Sequence, residues 1–97
     1  MTKHFRKELE SIKKHILTLG SMVEDLVHTS VQAVDRVDAD LADQIIKKDN
    51  EIDETEVDIE EECLKVLALH QPVAVDLRFI IAVIKINNEL VRIAAPT

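Results

Sequence analysis

The chain has 97 residues, enough for one domain at most. Its hydrophobic fraction of 46% can build a core, but aromatics are only 2%, so that core must come from Leu, Ile, Val and Ala. A formal net charge of -7 repels a phosphate backbone and argues against a nucleic-acid partner.

One Gly and two Pro leave almost no turn punctuation, which predicts a few long helices and no strands. The expected fold is all-α, a three-helix up-down-up bundle forming a single domain over residues 1–97, with a short third helix. The lone cysteine, Cys63, has no intrachain disulfide partner, so a reducing compartment is the default. No apolar run approaches the ~18 residues of a membrane span, and MTKHFRKELE lacks the apolar region of a signal peptide. A soluble cytoplasmic protein is expected. Lys3, His4, Arg6, Lys7, Lys13, Lys14 and His15 read as a solvated helix start rather than a nucleic-acid arm.

The first helix is predicted over about residues 3–36. Phe5, Leu9, Ile12, Ile16, Leu19, Val23, Leu26, Ser30, Ala33 and Val37 recur in alternating steps of four and three, the spacing of a bundle seam. Met22, Val27, Val31 and Val34 widen that stripe. Gly20 either admits a close neighbour or is a tolerated surface glycine. Asp35, Asp38 and Asp40 mark the first boundary, and Asp38 or Asp40 can cap the next helix.

The second helix is predicted over about 39–69, with one stripe at Leu41, Ile45, Ile52, Ile59, Cys63 and Val66 and another at Ile46, Val57, Leu64 and Leu67. Its middle is acidic, and Asp49 and Glu56 fall in seam positions, where a carboxylate destabilises unless something satisfies it. Asp49 and Asp53 share one face at i and i+4, extended by Glu56 and Glu60, and could offer oxygen donors to a metal. A solvated acidic face is the plainer reading. His70 reads as a cation favouring the helix C-terminus, and Cys63 as a small buried hydrophobe.

His70-Gln71-Pro72 breaks the pattern. Pro72 is expected in the first turn of the third helix, about 72–94, with Gln71 extended before it. The third helix is apolar over most of its circumference, so the rest of the chain is expected to wrap it. Asp76 and Arg78 stand two apart and are candidates for structural ion pairs or for partner contact. Helices of about 48, 45 and 33 Å would leave part of the seam open, which predicts self-association or a missing partner segment. No nucleophile-base set, phosphate loop or Walker motif points to catalysis.

Asp49, Ile52 and Asp53, then Cys63, Leu64, Leu67, Ala68 and Leu69, then Gln71-Pro72-Val73-Ala74, Asp76-Leu77-Arg78, and finally Lys85, Ile86, Leu90, Arg92 and Ile93 resemble the first repeat of the PhoU family. The resemblance implies one three-helix repeat of a regulator built from two, C-terminally truncated. It implies a non-enzymatic role in phosphate uptake and phosphate-responsive signalling, with a phosphate ABC transporter ATPase and a sensor histidine kinase as partners. It also implies iron or zinc held through acidic motifs, toward which Asp49 and Asp53 would contribute. The chain departs from that pattern at Val91 and Ala95, where the family has acids, at Ala94, where it has glycine, and at His70, where it has glutamine. The alternatives are a metal-binding helical module and a remnant without independent function. A homodimer would recreate the two-repeat arrangement.

Overall fold

A computed structural model describes residues 3–36 and 38–94. Val37 and Ala95 lie outside the described residues. Three helices follow one another: α1 (Lys3–Asp35), α2 (Ala39–His70) and α3 (Ala74–Ala94). Each packs on the other two in an all-α, up-down-up bundle extending 53 × 20 × 16 Å.

The heptad seam of α1 becomes its buried face. Phe5, Leu9, Ile12, Leu19, Val23 and Leu26 are buried, with Ile16 packed beside them. They meet Ile52, Ile59, Cys63 and Val66 of α2 and Ile80 and Val83 of α3. Asp38 caps α2: its Oδ1 accepts from the Asp40 amide at 2.8 Å. Gly20 admits no neighbour, since a Cβ there would meet nothing within 4 Å.

Three expectations are corrected. The other members of α1's widened stripe part company: Met22 packs on the core, while Val27, Val31 and Val34 are exposed. The second stripe of α2 is mostly outside, with Ile46, Val57 and Leu64 exposed and only Leu67 packed inward. Nor is α3 wrapped. Ile80, Val83 and Asn87 are buried, whereas Val75, Ile81, Ile86 and Ile93 face solvent. Two partner helices can cover only one side of a third, so hydrophobicity around the whole circumference exceeds what the bundle can bury.

The break also differs from expectation. α2 runs through His70, and α3 begins at Ala74, two residues after Pro72. Gln71 is left-handed (φ 46°, ψ 56°) rather than extended, with its N–H bonded to the Leu67 carbonyl. One left-handed residue reverses the chain at a helix end. That requirement overrides the steric preference of a residue before proline. Ala74 is left-handed as well (φ 55°).

α1 and α2 have 33 and 32 residues against 21 in α3. Among the described residues α3 reaches Ala94. Over the same described residues, the last turns of α1 and the first turns of α2 border an open groove beside Ile93 and Ala94.

Candidate functional site

Val27, Val31 and Val34 of α1, Ile45 and Ile46 of α2 and Ile93 of α3 line a groove of about 530 Å³. Their spacing puts the three valines on one flank of α1. Val34 is 86% exposed, so this flank is open rather than loosely packed. Asp49 also lines the groove. It is half-buried, and among the described residues it makes no ion pair.

The acidic face of α2 divides along its length. Asp49 is half-buried, Asp53 exposed, Glu56 half-buried and Glu60 exposed. Burial, followed by the neighbouring charges of Asp53 and Glu60, raises the Glu56 carboxyl above its ordinary value. The backbone carbonyl of Glu56 accepts from Asn87 Nδ2 at 3.0 Å. Asn87 is fully buried in the core, and its Oδ1 has no hydrogen-bond partner among the described residues. Sequence reasoning passed over Asn87, although an amide at a seam position of an otherwise apolar helix is the signal that would have found it.

Among the described residues, no group of three or more His, Cys, Asp or Glu side chains is placed to hold a metal ion. Val91, at the position where the family pattern has an acid, packs against the core. Two carboxylates one turn apart are too few donors for a multinuclear iron or zinc cluster. The described donor set does not fit that group.

The far end of the bundle carries a polar clamp that the sequence did not reveal. His70 Nε2 lies 3.0 Å from Glu8 Oε1, and His4 Nε2 lies 2.7 Å from the same oxygen. The His70 ring also sits 4.7 Å from that of Phe5. His70 therefore ties α2 to α1 as well as standing at the helix terminus where the sequence put it. Its hydrogen bond is the main cause that holds the Glu8 carboxyl below its ordinary value, against some desolvation and with help from His4. Further in along the bundle, Glu62 accepts from Ser11 Oγ at 2.9 Å and pairs with His15 at 2.8 Å. These contacts join residues about 50 to 60 positions apart, which helix periodicity does not encode.

Asp76 is half-buried in the first turn of α3, and Arg78 is exposed. Neither makes an ion pair among the described residues, so the structural-bridge reading of this pair is not realised. Cys63 is buried, and burial, with Glu62 and Glu60 adding, pushes its thiol up to about 11. No helix among the described residues is long and apolar enough to cross a membrane.

Residues 16–95 match the PhoU domain. The chain belongs to the PhoU family. It is 40% identical over 93 residues to the phosphate-specific transport system accessory protein PhoU homolog of Pseudomonas putida, covering 96% of this chain and 36% of that protein. The homolog from Aquifex aeolicus is 38% identical over 86 residues, 89% of this chain and 39% of the relative. The Escherichia coli K12 protein PhoU is 39% identical over 89 residues, 92% of this chain and 37% of the relative. The chain thus spans little more than a third of the length of these relatives. No solved structure matches it.

Proposed function

We propose that the chain is a non-enzymatic, PhoU-type regulator of phosphate uptake and phosphate-responsive signalling that acts through protein–protein contacts. The observation that carries this reading is the match to accessory proteins of phosphate-specific transport over nearly the whole chain. The surface supports it. Exposed apolar side chains line the groove and continue along the outer face of α2 through Val57 and Leu64, an arrangement suited to contacts with other proteins. A thiol raised to about 11 stays protonated at neutral pH and is a poor nucleophile.

By resemblance, the partners are a phosphate ABC transporter ATPase and a sensor histidine kinase, met on the cytoplasmic side. Asp76 and Arg78, unpaired with each other or with neighbouring helices among the described residues, are the charged groups offered at the start of α3. The exposed apolar side chains of α3, Ile81, Ile86 and Ile93 among them, are the surface proposed for a homodimer. The test is phosphate uptake in cells that lack their own full-length relative. Expression of the chain is expected to change the uptake rate. Unchanged uptake with folded, soluble chain present would sink the reading.

A further inference from the structure

We propose that the outer face of the first half of α1 binds the anionic headgroups of a lipid bilayer. Lys3, Arg6, Lys7, Lys13 and Lys14 meet the headgroup phosphates, and Leu17 enters the interface. The inference goes beyond the regulatory reading and does not depend on it.

The placement of charge comes first. The whole chain has a formal net charge of -7, yet five of its 12 Lys and Arg residues stand between Lys3 and Lys14, against Glu8 and Glu10. The helix gains nothing from them locally. The first turn of α1 holds no acid, and cations at a helix N-terminus oppose its dipole. Lys3 and Lys7 are like charges at i and i+4, which repel each other. All five cations are exposed, and among the described residues none makes an ion pair. Glu8 is engaged with His4 and His70 instead. Cations that cost the fold and are not neutralised by it form a local inconsistency of the kind that marks an interaction surface.

Geometry decides what the face fits. Phe5, Leu9, Ile12 and Leu19 are the buried seam of this half of α1. Helical spacing puts Lys3, Lys7 and Lys14 about half a turn from that seam, on the side turned away from the bundle, with Arg6 and Lys13 along one flank. Leu17 follows Lys13 and Lys14 by four and three residues, so it continues the same face, and it is 65% exposed. From Lys3 to Leu17 the face is about 21 Å long. The polar groove beside it, between Glu8, His15, Glu62 and Lys65, is lined by none of the five cations. A convex row on one helix offers no recess to a protein side chain. It can lie flat on a bilayer, where Lys and Arg reach the headgroups and a leucine dips between them.

Nucleic acid is the less suited polyanion. Single strands stack their bases on aromatic side chains, and the chain has no Trp or Tyr, while Phe5 is buried. Nor does the acidic remainder of the chain cancel the attraction. Exposed charges more than about 8–10 Å apart are largely screened at physiological salt. Asp53 and Glu60, for example, stand beside Glu56, whose carbonyl meets Asn87 of α3.

The test is co-sedimentation of the chain with vesicles of phosphatidylcholine alone and of equal parts phosphatidylcholine and phosphatidylglycerol. The chain is expected to sediment with the anionic vesicles only, and to be released by 0.5 M NaCl, where screening is about twofold shorter in range. Each cation near an anionic surface is worth about fivefold in partitioning. Lys7→Gln with Lys14→Gln should therefore weaken binding about 25-fold. Asp53→Asn with Glu60→Gln shifts net charge by the same amount in the opposite direction, and should leave binding within about twofold. Circular dichroism checks that both variants are folded.

No sedimentation with anionic vesicles would overturn the proposal, as would equal sedimentation with neutral ones. Equal and opposite effects of the two double variants would also overturn it, since net charge and not this face would then govern binding. Tighter binding to a DNA duplex or to a polyglutamate peptide than to the vesicles would assign the face to another polyanion and overturn it as well.

Discussion

Replacing Ala74 with glycine separates two accounts of how α3 begins. Ala74 opens the helix at φ 55°. A left-handed conformation costs an L-residue roughly 1–2 kcal/mol, and glycine adopts it freely. Glycine's looser unfolded chain takes back about 0.4–1 kcal/mol. The net is a stabilisation of about 0.5–1 kcal/mol. In a domain of this size that raises Tm by about 2–8 °C. Were Ala74 an ordinary helical residue, the same substitution would instead destabilise by about 1 kcal/mol. The two accounts differ in sign, so the experiment needs no fine calibration. Gln71→Gly should stabilise by a similar amount, since Gln71 is left-handed and precedes a proline. Ala74→Val should destabilise by at least about 1 kcal/mol, because a β-branched residue fits that region worst. Urea unfolding at 25 °C, followed by far-UV circular dichroism, gives the differences directly, provided the slope m stays constant. A loss of stability in Ala74→Gly would refute the left-handed start of α3.

Other predictions follow from burial and charge. Ile59→Ala, at a site 1% exposed, should destabilise by about 2–5 kcal/mol. Val57→Ala, at a site 51% exposed, should stay within about 0.5 kcal/mol of wild type in the monomer. Equal losses would mean that both stripes of α2 are buried. Gly20→Ala should raise stability by up to ~1 kcal/mol, since the added methyl meets nothing within 4 Å. The two perturbed carboxyls give opposite pH signatures. Glu8 lies below its ordinary 4.5 when folded, so its contribution is present above that value and is lost as pH falls through its folded value. Glu56 lies above 4.5, so its ionised form opposes folding once pH rises through its folded value. Accordingly, Glu8→Gln should lose stability at pH 7 and Glu56→Gln should gain it, and both differences should shrink in urea melts near pH 3. Matching signs at pH 7 would contradict this assignment.

The helices and most of the α1 seam were legible because burial follows spacing. Phe5, Leu9, Ile12, Leu19, Val23 and Leu26 appear at seam intervals and are buried. The spans of the three described helices were also legible, since they need only the boundaries. Hydrophobicity was a poorer guide to which faces of α2 and α3 turn inward. Val57, Leu64 and Ile81 are as apolar as their buried neighbours, and only the positions of the other helices decide between them. The turn at Gln71 was misread because the local preference before proline lost to the demand for a chain reversal. The Glu8–His70 clamp and the buried Asn87 depend on contacts across the bundle, which no single-helix pattern contains. For the acidic face of α2 the sequence supplied the carboxylates, but the described geometry does not gather them into a cation site.

The most direct test of the account is binding between the purified chain and the purified ATPase subunit of a phosphate-specific transporter, followed by titration calorimetry. Saturable binding that Arg78→Glu weakens and Gly20→Ala leaves unchanged is the expected result. A folded, stable chain that shows no binding to the subunit would contradict regulation through contact with the transporter.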